Sequence, residues 1–322
     1  MKKILSIALS FIMILQMSTT AFAFVDTKNN IFTGSKYTHD DKFSGYEIVN
    51  GLDISVHQGT ISNFNTVKSA GVDYMFLRAG YRGYGSAGSL NKDTMFDSYA
   101  KGAVAAGIDI GAYIYSQAIT VAEARAEADY IVNIVKGYEI TLPLVFDYEY
   151  YSGGRLSNAN LSTRQRTDIC LAFCERVEAA GYTACVYANR SMFRTDLYTD
   201  EIANKYIIWL AQYNTSTVLG GSYFPQDYEY WQYTSSGSVS GISGRIELIN
   251  CSLRYWRGSA LGSPYGRAGM PSGMTEREIN PLRPSLRTGA PLPKGEASGA
   301  LSKINYNLSF CLGVDKCGSF GL

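Results

Sequence analysis

Apolar residues recur along this chain in two rhythms that alternate with one another. Short runs rich in β-branched and aromatic residues predict strands at Ile48–Ile54, Tyr74–Arg78, Ile108–Tyr115, Leu142–Glu149, Ala184–Ala188, Tyr206–Tyr213, Tyr228–Tyr233 and Arg245–Ile249. Between the earlier runs the spacing changes to that of amphipathic helices, over Asn63–Ala70, Asp93–Ala106, Val121–Lys136 and Thr163–Ala180. In the second of these, Phe96, Tyr99, Ala100, Ala103 and Val104 share one face. Gly71, Gly107, Gly137 and Gly181 each stand just past a helix, where a left-handed cap favours glycine. Strands alternating with helices predict an α/β fold with a mainly parallel sheet and helices outside it. Eight strands suggest closure into an irregular, TIM-barrel-like (β/α) barrel, with few helices in its second half. An open doubly wound sheet is the alternative, although no glycine-rich phosphate loop follows any strand.

The pattern breaks down at both ends. Lys2 and Lys3 precede an apolar run from Ile4 to Leu15 and then Ala21-Phe22-Ala23, the order expected of a secretory signal peptide over residues 1–23. The run is shorter than the roughly 20 apolar residues that span a bilayer. The expectation is therefore a secreted protein with no membrane partner after cleavage. Residues 24–46 are polar, without helical or strand period, and read as a leader. Residues 47–256 carry the regular pattern. Residues 257–322 are rich in Gly, Ser, Pro and Arg with no apolar period, which predicts a disordered tail.

Composition narrows the partners. A formal charge of +1 gives no electrostatic reason to expect nucleic acid. A largely neutral polymer fits better, and 25 Tyr supply flat apolar faces with hydrogen-bonding tips that suit sugars. With two histidines, His39 and His57, a metal-dependent deacetylase lacks its His/Asp cluster, and no metal is expected. Six cysteines in an exported chain allow 15 pairings, including Cys251 with Cys311 or Cys317. Cys170 and Cys174 share a helix face without a C-x-x-C partner, and Cys185 lies in an apolar strand run.

In a parallel barrel the active groups stand at the carboxyl ends of the strands. Asp53 ends the first strand, and Asp147-Tyr148-Glu149 follows the apolar run Leu142–Phe146. Residues i and i+2 of a strand face the same side, about 6.5–7 Å apart. Both carboxylates then look into one cleft, where repulsion and partial burial raise one pKa and leave an acid beside an ionised partner. Such a pair can protonate a glycosidic oxygen and stabilise an oxocarbenium-like transition state.

The ordered motifs Asp53-x-Ser55-x-x-Gln58-Gly59, Leu77-Arg78-Ala79-Gly80-Tyr81, Gly111-x-Tyr113-x-Tyr115, Asp147-x-Glu149, Trp209-Leu210-Ala211-x-Tyr213 and Trp231-Gln232-Tyr233 resemble those of family 25 glycoside hydrolases, the Chalaropsis-type lysozymes. The resemblance covers about residues 48–250. It implies cleavage of the β-1,4 bond between N-acetylmuramic acid and N-acetylglucosamine in peptidoglycan, with configuration retained, without a cofactor, and by a monomer associated with the cell wall. It further implies Glu149 as general acid, with Asp147 and Asp53 tuning it. Arg78, Tyr81, Tyr113, Tyr115, Tyr187, Trp209, Tyr213, Trp231 and Gln232 are assigned to the cleft. One departure stands out: where similar proteins end the barrel with Asp-x-Asn, this chain has Glu247 and, one residue late, Asn250. Glu247 is taken as a fourth carboxylate of the site, on a last strand whose register is expected to slip. Reduced activity is expected, and the alternative is a catalytically impaired cell-wall glycan-binding protein on the same scaffold.

Overall fold

The computed structural model describes residues 24–26, 36–39, 47–213, 218–219 and 224–253. The export signal expected at 1–23 and the disordered tail expected at 257–322 lie outside the described residues, as do Cys311 and Cys317.

Eight strands form a closed ring: β1 (Glu47–Ile54), β2 (Tyr74–Arg82), β3 (Asp109–Ser116), β4 (Leu144–Tyr148), β5 (Ala184–Asn189), β6 (Ile207–Ala211), β7 (Tyr230–Gly237) and β8 (Ile246–Leu253). Neighbours pair in that order, and β1 closes the ring by pairing with both β2 and β8. The irregular barrel read from the sequence is thus the fold, and the open sheet is excluded. A short strand, Leu90–Lys92, hangs on the edge of β2.

Strands β1 to β7 run parallel, whereas β8 is antiparallel to both neighbours. The sequence pattern did not predict that reversal. Its cause is the short connection after β7: residues 238–245 contain only turns, too few to cross back for a parallel partner. The expected register slip in β8 is absent. Its ladder to β1 runs unbroken from Glu247 opposite Asp53 to Leu253 opposite Glu47, and the irregularities fall on the β7 side, where extra residues of β7 bulge between Gln232 and Gly237.

Helices α1 (Phe64–Ser69), α2 (Phe96–Ala105), α3 (Val121–Val135), α4 (Arg155–Asn158), α5 (Thr163–Ala179), α6 (Arg190–Thr195) and α7 (Thr199–Ala203) connect the strands. The four anticipated helices are present, and their closing glycines all have φ between 69° and 95°. Ser162 caps α5 in a capping box with Gln165, which fixes where that helix begins. The one- or two-turn helices α4, α6 and α7 escape a periodicity search because they are too short to show a period. For the same reason, the sequence pattern shows no period over residues 24–46. They include the strands Phe24–Asp26 and Lys36–His39, which pair with each other, the second also pairing with Val218–Leu219.

Strands buried on both faces explain the near-continuous apolar runs. The outer core lies between the barrel and its helices, and includes Leu52, Met75, Leu77, Ile114, Phe146 and Ile169. Cys170 and Cys174 are buried there and free. Burial pushes both thiols up, so they behave as small apolar side chains rather than as metal ligands. The inner core is largely aromatic: Trp209 stacks on Phe76 at 4.6 Å, while Tyr230 and Tyr187 meet these rings edge-on. Room for those rings comes from glycines that face inward. A Cβ on Gly51 would come within 2.2 Å of the Tyr74 ring.

Candidate active site

The aromatic inner core gives way to polar groups at the carboxyl ends of the parallel strands. Alternation turns Val49, Gly51 and Asp53 of β1 inward, so Asp53 is the last inward residue of its strand. On β4 the same alternation makes Val145 part of the inner core, and Asp147 follows at the rim with Glu149 one step beyond. Because β8 runs the other way, its beginning rather than its end lies at this rim. Glu247 therefore stands directly opposite Asp53. Four carboxylates thus converge from three strands.

Gln232 of β7 organises one side of the site. Fully buried, it donates from Nε2 to Asp53 Oδ2 at 3.0 Å and to Glu247 Oε2 at 2.9 Å. Its Oε1 accepts from the hydroxyls of Tyr187 at 2.8 Å and Tyr213 at 2.6 Å. Both amide hydrogens and both lone pairs are used, which leaves Gln232 nothing to offer a ligand. Its assignment to the cleft as a substrate contact is corrected: it positions other groups. The Tyr113 hydroxyl and the Glu247 carboxylate also lie close enough to Asp53 to bear on its ionisation.

The other side is less satisfied. Asp147 Oδ1 is buried without a hydrogen-bond partner, and the Glu149 carboxyl makes no hydrogen bond among the described residues. Burial, with Glu247 second, pushes the Glu149 carboxyl up to about 7. Asp53 and Asp147 are held well above the usual carboxylate range, in each case chiefly by burial. The next cause for Asp53 is the charge of Glu247 and for Asp147 that of Glu149. Like charges this close cannot all ionise together. The site therefore retains protons near neutrality and can hand one over at Glu149.

The remaining assignments divide. Tyr113, Tyr115, Tyr187 and Tyr213 all lie close enough to the carboxylates to feel their charge. Arg78 points to the same rim, is held by Asp93 at 2.8 Å and covers the Tyr81 ring at 5.5 Å. Trp209 is 1 % exposed and forms the floor beneath Tyr187, so it presents no face to a sugar. Trp231 does not belong to the cleft. Adjacent strand residues face opposite ways, and with Gln232 turned inward Trp231 is buried in the outer core, its indole N–H donating to the Gln212 carbonyl. His57 is exposed on the one-turn 3-10 helix Val56–Gln58. Among the described residues no group of three or more His, Cys, Asp or Glu is arranged to hold a metal ion.

Sequence reasoning missed two features. Asp93, 2 % exposed, accepts from Arg78, from the Val56 amide and from the Met95 amide, and so fixes Arg78 against the loop after β1. Tyr84 and Tyr151 stack on one another at 4.2 Å beside Tyr115, both well exposed. The signal for Tyr84 was an aromatic set between glycines, Gly83-Tyr84-Gly85, in a loop with no packing role to explain it.

Comparison with known proteins places this geometry. The chain is 30% identical over 203 residues to Lysozyme M1 of Streptomyces globisporus, covering 62% of this chain and 66% of that protein. It superposes on the bacterial lysozyme of Streptomyces coelicolor with a TM-score of 0.51 at 30% identity, over 66% of this chain and 93% of that one. On the modular autolysin LytC of Streptococcus pneumoniae the TM-score is 0.55 at 23% identity, over 71% of this chain and 52% of that one. The chain thus spans just under two thirds of the first relative and about half of LytC. The family model for glycosyl hydrolases family 25 matches residues 52–242, ending just short of Glu247. On the ring of eight strands, the carboxylates at its mouth and that match, the chain belongs to glycosyl hydrolases family 25.

Proposed function

We propose that this protein is a secreted muramidase, hydrolysing the β-1,4 bond between N-acetylmuramic acid and N-acetylglucosamine in peptidoglycan with the anomeric configuration retained. The carrying observation is the Glu149 carboxyl, half-buried, free of hydrogen bonds among the described residues and pushed up to about 7 beside three more carboxylates. An acid of that pKa keeps its proton in a large fraction of molecules at neutral pH, as a group that must protonate a leaving oxygen requires. Asp147, two residues back on the same face, has an unpartnered buried oxygen to set against the developing positive charge or the substrate's N-acetyl group. Family membership and the lysozymes among its relatives support wall glycan as the substrate.

The rival reading, a wall-glycan-binding protein with impaired catalysis, draws on Glu247 standing where similar proteins have Asp and on a slipped last strand. The unbroken β8–β1 ladder speaks against the slip. Purified wall sacculi digested by the protein should release fragments with new reducing ends at muramic acid, and proton NMR of the first products should show the β-anomer. Binding without release of fragments, or release of free amines from an intact strand, would overturn the reading.

A further inference from the structure

Beyond the four carboxylates, the same face carries a built aromatic feature. Tyr84 lies in the loop 83–89 after β2, and Tyr151 in the turn after β4. The two rings stack at 4.2 Å with 21° between their planes, and their exposures are 44 % and 49 %. Both residues thus keep a large part of their surface open to solvent. The pair is continuous with the carboxylate site: Tyr115 meets the Tyr84 ring edge-on with centroids 6.1 Å apart, and Tyr84 and Tyr115 both feel the charge of Glu149.

Exposed loop aromatics normally cost ordering entropy, yet a buried ionic network holds both loops from below. Arg82 donates to the Gly88 carbonyl of the first loop and pairs with buried Glu127. Arg155, at the start of α4, donates to Glu123 Oε1 at 2.6 Å and to the Gln117 carbonyl at 3.0 Å. Gln117 in turn accepts from the Leu156 amide just beyond the second loop and donates to the Glu149 carbonyl at 3.4 Å. The loops close directly on these groups. A Cβ on Gly88 would meet the Arg155 guanidinium at 2.5 Å, and one on Gly154 would meet Gln117 Oε1 at 2.6 Å.

We infer that the Tyr84–Tyr151 pair is a preorganised platform for an additional N-acetylhexosamine ring of the glycan strand, outside the two sugars whose bond is cut, and that Arg155 is its positioning residue. The inference rests on the glycan-hydrolase reading of the adjoining carboxylates. A pyranose ring offers an apolar C–H face of about the size of a phenol, and rigid aromatic anchors bind it with little entropic loss.

The test compares kcat/KM on alternating N-acetylglucosamine–N-acetylmuramic acid oligomers of two and of four disaccharide repeats, using the full chain. In Tyr151→Ala and Tyr84→Ala the ratio of long to short substrate should fall roughly three- to tenfold, the factor for one lost ring contact. Arg155→Met should lower the ratio in the same direction, and Arg155→Lys should restore part of it. A merely structural role for Arg155 would lower Tm and leave the ratio where it was. An unchanged ratio in both tyrosine variants overturns the platform, whether or not the two rates fall together. Should the unmodified protein cleave neither oligomer, the hydrolase reading fails instead. Calorimetric binding of the longer oligomer then decides the platform alone: equal affinity in the parent and in Tyr151→Ala would refute it.

Discussion

The two halves of the carboxylate cluster differ in how far the protein itself satisfies them. Around β1, β7 and β8, the Gln232 amide uses every donor and acceptor on Asp53, Glu247, Tyr187 and Tyr213. Around β4, among the described residues, Asp147 keeps an orphaned oxygen and the Glu149 side chain makes no hydrogen bond. A buried polar group left unpaired costs about 1–3 kcal/mol, so a fold keeps such a group where something else repays it. The difference separates groups that the fold itself satisfies from groups that it leaves open: the first half is fixed by its own hydrogen bonds, and the second half is where, on the proposed function, a substrate would be met.

The strongest way to break that division is Glu149→Gln. It should lower turnover by about 10²-fold or more while leaving Tm and glycan affinity close to those of the parent. Full activity in steady-state digestion of sacculi would place the acid elsewhere. Next in size is Gln232→Leu, which strands two carboxylates and two tyrosine hydroxyls at once. We expect a loss of about 2–4 kcal/mol in denaturant unfolding, with turnover falling as well. A variant as stable as the parent would show that the hub carries little.

The two halves meet through charge, and pH sharpens the comparison. Activity should fall as pH rises through about 7, because Glu149 then ionises and has no proton to give. Glu247 is the second cause of that elevation, so Glu247→Gln should move the alkaline limb of the rate profile to lower pH. A limb that stayed in place would uncouple the halves. Stability follows the same sign: the folded state holds the Glu149 proton more tightly than the unfolded chain, so this group's contribution weakens as pH rises from about 4.5 to about 7. The smallest effect is predicted at Trp231→Phe, which should lower Tm by a few degrees and change KM by less than about twofold, since its ring lies in the outer core. A large rise in KM would return Trp231 to the cleft.

Much of this was legible in the chain. The eight apolar runs mark the eight barrel strands, and the strand-end rule selects Asp53, Asp147 and Glu149. What stayed hidden was non-local. The reversal of β8 depends on the brevity of one turn, and no residue in β8 signals it. The saturation of Gln232 depends on partners contributed by several strands. The misplacement of Trp231 was avoidable, because Trp231 and Gln232 are adjacent in one strand and period-2 alternation cannot send both into the same cleft.

The closing strand has a consequence in time. Asp53 and Gln232, which share a hydrogen bond, are 179 positions apart, and β8 with Glu247 is synthesised later still. Until β8 emerges, β1 lacks one of its two neighbours and Asp53 lacks its opposing charge. Contacts of such long range form slowly. A nascent chain therefore carries Asp147 and Glu149 well before the strand that seals the ring, and the four carboxylates can come together only once β8 has been made.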